Sequence, residues 1–174
     1  MEILEKLDEQ IPPPDKFSRL VEALAVSYKA MRGGGMSDAD AAKEARDFLT
    51  CVKARYASFK VTEDSLVLNT RPVHIEYKGE TYNLGKFTMS IPFAIDEDGA
   101  VAGNIVVESL DLQGHPHGND GDECFGNAED ALYKDLRAGR LASVALMLDL
   151  WVHSYNPREG ADITDWPVVV QKGK

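Results

Sequence analysis

The apolar residues near the start of the chain recur at helical spacing and predict two helices. The first apolar stripe follows a proline-rich lead-in at residues 11–15, and three glycines at residues 33–35 end it. Ser37 is a favourable N-cap for the second helix. The stripes comprise Phe17, Leu20, Val21, Leu24, Tyr28 and Met31, and then Ala41, Ala45, Phe48, Leu49, Val52 and Tyr56. Cys51 lies beside the second stripe, so we expect it to serve packing alone.

From Lys60 onward the pattern changes to the two-residue period of β-strands. Runs of β-favouring residues lie at positions 66–68, 73–77, 81–84, 87–91 and 105–107. Lys78-Gly79 predicts a tight hairpin turn, and short connections of this kind favour antiparallel pairing. We therefore predict a four-stranded antiparallel meander from about Val73 to Val107.

A further apolar stripe predicts a helix after the sheet, and Asn156-Pro157 ends it. Its members are Leu141, Val144, Ala145, Leu148, Trp151 and Val152. The predicted fold class is therefore α+β, with helices before and after a four-stranded antiparallel meander and an extra N-terminal helix. We expect residues 1–36 to form an N-terminal helical extension and residues 37–174 to form the α+β domain.

The net charge of −10 is concentrated in the second part of the chain. Residues 1–60 carry 10 Lys/Arg and 10 Asp/Glu, whereas residues 61–174 carry 9 and 19. Binding to a phosphate backbone requires clustered Lys and Arg, so we expect no nucleic-acid partner. No apolar run approaches the roughly 20 residues that span a bilayer, so no membrane partner is expected. With two cysteines and an acidic start, the sequence favours a cytoplasmic location.

One loop concentrates the residues that could perform chemistry. Residues 115–127 read HPHGNDGDECFGN, and Cys124 lies nine positions after His115 among glycines and acidic residues. Free cysteine normally favours apolar interiors, whereas catalytic groups concentrate on loops. Cys124 is therefore a candidate nucleophile or metal ligand, or an inert remnant of one. The acidic neighbours disfavour its thiolate form.

The order of these segments resembles that of the ubiquitin-conjugating enzymes. Their core runs through a helix, a four-stranded antiparallel meander, a His-Pro-Asn motif, a catalytic cysteine and a further helix. The segments that resemble family landmarks are residues 85–93 (GKFTMSIPF), 104–107 (NIVV), 115–117 (HPH), 120–126 (DGDECFG) and the helix with its Asn156-Pro157 stop. The likeness covers roughly residues 38–160. The His-Pro-His and Cys-Phe-Gly-Asn variants of the family motifs look more like those of divergent bacterial and phage members than those of the eukaryotic ones.

The resemblance implies that Cys124 carries a ubiquitin-like modifier as a thioester. An activating enzyme would supply the modifier, and a protein acceptor would receive it, with neither metal nor cofactor. His117 stands where the family has Asn, and its imidazole N–H would stabilise the oxyanion, a role worth about 2.7–4 kcal/mol of barrier. His115, Pro116 and Asn127 would support the loop. His117 alternatively orders the loop without taking part in chemistry.

Other functions fit the same residues. Domains of this fold also serve as non-catalytic protein-binding modules. A zinc site could use His115, His117 and Cys124, with His153 as a fourth ligand, although a single cysteine departs from common structural-zinc spacings. Cysteine-protease chemistry would require a base and an orienting partner near Cys124. The sequence identifies neither the modifier nor the acceptor.

Overall fold

Two helices begin the helical part of the chain. The computed structural model describes residues 3–6, 14–31, 36–62, 64–92, 103–110, 114–119, 122–158 and 160–169. Helix α1 spans Pro14–Met31 and α2 spans Asp38–Arg55, as the apolar stripes predict. The Ser37 hydroxyl accepts the backbone N–H of Asp40 at 3.1 Å, which confirms the predicted N-cap.

The side chains of α1 are described in part. Val21 and Leu24 are buried in the same hydrophobic core as α2. The side chains of Phe17, Leu20, Tyr28 and Met31 lie outside the described residues, as does the predicted glycine stop at residues 33–35. The sequence at residues 96–99, DEDG, also predicts a turn, and it lies outside them as well. The division of the chain at residue 36 stays a prediction.

The strands form one large antiparallel sheet and two small ones. The strands are β1 (Ile3–Lys6), β2 (Tyr56–Val61), β3 (Ser65–Thr70), β4 (Val73–Tyr77), β5 (Glu80–Gly85), β6 (Phe87–Pro92), β7 (Val106–Ser109), β8 (Gly118–Asn119) and β9 (Asp122–Glu123). The large sheet has the order β1-β2-β3-β6-β7. Strands β2, β3, β6 and β7 form a four-stranded antiparallel sheet with helices before and after it, which confirms the predicted α+β class, and β1 pairs at its edge as a fifth strand.

The predicted membership of that sheet was wrong in two places. Strands β4 and β5 pair with each other outside the large sheet, and β5 also bridges Val168 at Tyr82. Strand β3 therefore pairs directly with β6. Leu66 then stands opposite Ile91 and Leu68 opposite Met89, and all four side chains are buried. This pairing of two apolar faces favours β6 over β4 as the neighbour of β3. Strand β2 precedes β3 and β6 in the chain, and it was not predicted because Tyr56 continues the helical spacing of α2.

Two further helices complete the core. Helix α3 spans Glu129–Arg137 and α4 spans Leu141–Val152, the latter as predicted. The buried faces of α2, α4 and the large sheet contribute to one hydrophobic cluster. Tyr56, at the start of β2, donates its hydroxyl to the Ala145 carbonyl of α4 at 2.7 Å, and burial raises the pKa of its phenol. Among the described helices, none combines the length and apolarity that crossing a membrane requires.

Candidate functional site

The cysteine loop, residues 114–127, follows β7 of the large sheet and leads into α3. Within it, β8 and β9 are each two residues long and pair with each other, and Cys124 follows β9 directly. A 3-10 turn at Gly126–Ala128 then leads into α3. The side chain of Cys124 is exposed, so the chain presents this thiol beyond the last strand of the sheet. Asn127 is exposed within the 3-10 turn.

The backbone of Cys124 is held from both sides. Its N–H donates to the His117 carbonyl at 2.9 Å, which ties the cysteine to the His-Pro-His turn. Its carbonyl accepts the indole N–H of Trp151 from α4 at 3.0 Å. The next residue, Phe125, is buried with its ring centroid 5.1 Å from that of Trp151. The cysteine therefore has a fixed main chain and an outward-facing side chain.

His115 lies beneath the loop as a neutral buried imidazole. Its side chain is 4% exposed, and its ring centroid lies 4.2 Å from that of Trp151. Its Nδ1 accepts the backbone N–H of His117 at 3.2 Å. Burial, helped by nearby His117, lowers the pKa of His115 to about 3, although the carbonyls of Val152 and Ser154 act in the opposite direction. Its Nε2 has no hydrogen-bond partner among the described residues, since neither carbonyl meets the ring in bonding geometry.

His117 faces the segment that follows α4. Its Nε2 accepts the backbone N–H of Asn156 at 2.9 Å. A neutral imidazole that accepts at Nε2 carries its proton on Nδ1. That nitrogen lies beside Gly160, where an added Cβ would approach it to 2.9 Å. This geometry supports the loop-ordering role of His117, and its role as an oxyanion donor stays a prediction.

The same C-terminal segment holds the beginning of the loop. The buried Pro116 accepts the backbone N–H of Ala161 at its carbonyl, at 2.9 Å. The Gly114 carbonyl accepts the indole N–H of Trp166 at 3.1 Å. Trp166 is itself buried, and a buried indole N–H requires an acceptor. Residues 151–166 therefore hold the loop at Gly114, Pro116, His117 and Cys124.

The sequence pattern did not reveal the two tryptophans as part of the site. Trp151 fits the apolar stripe of its helix, and that stripe accounts for its burial without indicating which acceptor its N–H would find. Trp166 follows a 3-10 turn at Ile163–Asp165. The only signal available was general, because tryptophan carries a donor that burial forces into a hydrogen bond.

The three histidines among the predicted zinc ligands are engaged with protein groups. His115 and His117 each use a ring nitrogen to accept a backbone N–H. The Nδ1 of His153 contacts the backbone carbonyl of Asp149 at 2.8 Å and the carboxylate of the same residue at 3.6 Å. Within the described ranges, no group of three His, Cys, Asp or Glu side chains is arranged to bind a metal ion.

The second cysteine lies away from the loop. Cys51 is partly buried on α2, and it packs against the core. Burial raises the pKa of its thiol, with the Arg55 guanidinium acting against that shift. Arg55 also pairs with buried Asp149 at 2.5 Å. These contacts agree with the packing role predicted for Cys51.

The chain was compared with models of protein families, with curated proteins and with solved structures, and none of the three comparisons gave a match.

Proposed function

We propose that Cys124 is the acyl carrier of a ubiquitin-conjugating-like protein. The observation that supports this is the pairing of an exposed thiol with a main chain held at both its N–H and its carbonyl. Acyl transfer requires a nucleophile whose approach is restricted before the substrate arrives. A cysteine kept for packing requires neither exposure nor this restraint.

The reaction consists of two exchanges at the same sulfur. In the first, the Cys124 thiolate attacks the C-terminal carbonyl of a ubiquitin-like modifier that an activating enzyme holds as a thioester. The Cys124 thioester forms, and the thiolate of the activating enzyme leaves. In the second, an amine of the protein acceptor attacks this carbonyl and loses a proton to solvent, an amide forms, and the Cys124 thiolate leaves.

The histidines divide the supporting work in this proposal. His115 stays neutral beneath the loop and accepts the N–H of His117. The ring of His117 accepts the Asn156 N–H and so fixes the His-Pro-His turn. The fixed turn places the His117 carbonyl where it accepts the N–H of Cys124. The N–H of the His117 ring is the candidate donor to the oxyanion. Pro116 and Asn127 support the loop on either side of Cys124.

A loading experiment tests the proposal. Incubation of the protein with ATP, the activating enzyme and the cognate modifier is expected to give an adduct that thiols cleave. Cys124→Ser is expected to give a thiol-resistant ester or no adduct. Cys51→Ser is the matched control, and it should load as the parent does because Cys51 packs against the core. Full transfer by a Cys124→Ala protein would exclude covalent catalysis at this position.

A second candidate function is a non-catalytic protein-binding module of the same fold. The observation that favours it is the hydrogen bond from Asn156 to Nε2 of His117, since this bond commits the predicted donor side chain to loop order. The loading experiment separates the two functions. A demonstrably active activating system that fails to load the parent protein favours the binding module.

A further inference from the structure

Both tryptophans of the chain donate their indole N–H to the cysteine loop. Trp151 donates to the Cys124 carbonyl at 3.0 Å, and Trp166 donates to the Gly114 carbonyl at 3.1 Å. The two side chains are similarly buried, at 8% and 6% exposure. The loop is thus bracketed by two donors of the same kind, of which only Trp151 acts on the cysteine itself.

The indole of Trp151 is a rigid donor. Its ring packs against those of His115 and Phe125, with centroid distances of 4.2 and 5.1 Å. Trp151 also belongs to α4, which Tyr56 joins to the sheet through its bond to Ala145. Packing against two aromatic rings and attachment to a docked helix leave the indole little freedom to turn.

We infer that Trp151 is a positioning residue for the reaction at Cys124. This inference rests on the proposed function. The indole of Trp151 bonds the main-chain carbonyl of the cysteine, so it acts through the placement of the thiol. Acyl transfer requires the reacting atoms to meet at about 3–3.5 Å, and a misplacement of about 1 Å can lower the rate by about 100-fold. Loss of the indole N–H therefore lowers the rate of transfer without changing the exposure of the thiol.

Trp151→Phe and Trp166→Phe form a matched pair for the test, both made in a Cys51→Ser background. Trp151→Phe should lower kcat for modifier loading by about tenfold or more with little change in KM, as expected for an interaction that acts on the transition state. Alkylation of Cys124 by iodoacetamide should stay within about twofold of the parent, because the thiol is exposed in both proteins. Trp166→Phe should have a clearly smaller effect on kcat.

Amide hydrogen exchange tests the inference independently of any modifier. Trp151→Phe should accelerate exchange of the Cys124 amide by about fivefold or more, with no change in β3 and β6. Trp166→Phe should leave exchange at Cys124 unchanged. If the parent protein does not load, the proposed function fails, and exchange still decides the role of Trp151. Unchanged exchange at Cys124 in Trp151→Phe, or equal losses of kcat in the two variants, overturns the inference.

A fluorescence measurement decides the case if Trp151→Phe does not fold. In the Trp166→Phe protein, Trp151 is the only tryptophan. Alkylation of Cys124 should shift or quench its emission, because its N–H bonds the carbonyl of the modified residue. A Cys124→Ala version should give no response. An emission spectrum that does not change on complete alkylation of Cys124 overturns the inference.

Discussion

Nε2 of His117 accepts the backbone N–H of Asn156 at 2.9 Å, across a separation of 39 residues in sequence. This bond requires an unprotonated Nε2, so it forms only while the imidazole is neutral. It joins the His-Pro-His turn to the segment that follows α4. The resemblance to ubiquitin-conjugating enzymes implies a catalytic role for His117, and the bond from Asn156 gives the same side chain a structural role.

The His117 position gives the first prediction. His117→Ala should still accept the modifier, whereas discharge to an acceptor should fall by about 100-fold if the ring donates to the oxyanion. His117→Gln can accept the Asn156 N–H again through its amide oxygen, so it should recover discharge if the ring only orders the loop. Single-turnover discharge measures both variants. His74→Ala, at an exposed position of β4, is the control. An equal loss of discharge in that variant contradicts a specific role for His117.

The pH dependence of stability gives the second prediction. His115 has a pKa of about 3 in the folded protein because it is buried, and about 6.5 when unfolded. The unfolded state therefore binds the extra proton, and the free energy of unfolding should fall as the pH drops below 6.5 toward 3. Between pH 7 and pH 5 the loss from this group amounts to about 2 kcal/mol.

Urea denaturation at each pH measures this loss. His115→Gln cannot titrate, so its stability should change less between pH 7 and pH 5, whatever its stability at neutral pH. His74→Gln is the control, because it removes an exposed imidazole on β4 and leaves His115 in place. Parallel pH profiles for the parent and His115→Gln would contradict the assignment.

Helices α1, α2 and α4 were predictable from local pattern, whereas α3 was not predicted and neither was the membership of the sheet. The apolar residues from Ala41 to Val52 recur at helical spacing and are buried on one face of α2, so their pattern alone predicts the helix. Tyr56 continues that stripe at helical spacing yet begins β2, since both conformations bury the residue. Local alternation in β4 and β5 indicates strands and a hairpin. It carries no information about the distant partner that β3 selects in β6.

The site was predictable only at the level of its sequence motif. The pattern drew attention to Cys124, His115 and His117, and the structure brings these residues into one loop. The donors that hold this loop come from residues 151–166, and no periodicity links them to it. Long-range hydrogen bonds to backbone carbonyls depend on the whole fold, because a carbonyl is present at every residue and marks none of them.

Close packing at Gly160 gives the third prediction. A Cβ on this residue would lie 2.2 Å from the Pro116 carbonyl oxygen, at a φ of +100°. Gly160→Ala should therefore cost about 2–5 kcal/mol of stability through overpacking and backbone strain. Gly79→Ala is the matched control, since Gly79 has a φ of +85° and no atom within 4 Å of the added Cβ. It should cost about 1–2 kcal/mol. Urea denaturation compares the two, and equal losses would contradict the packing argument.

Metal content gives the fourth prediction. Purified protein should hold no stoichiometric zinc, because the ring nitrogens of His115 and His117 accept backbone N–H groups. Elemental analysis after dialysis measures this directly, and chelator treatment should leave the unfolding curve unchanged. About one zinc per chain, lost in His115→Ala, would restore the zinc site as the leading function.

The donors that residues 151–166 supply to the cysteine loop all follow it in the chain, and this order has a consequence for synthesis. A ribosome adds roughly 5–20 residues per second, so the strands of the sheet emerge before residues 151–166 do. A nascent chain can pair β2, β3, β6 and β7 while the carbonyls of Gly114 and Cys124 still lack their indole donors. The strands of the sheet are therefore already synthesised when the two indole donors become available, so the bond from Trp151 to the Cys124 carbonyl forms after those strands have emerged.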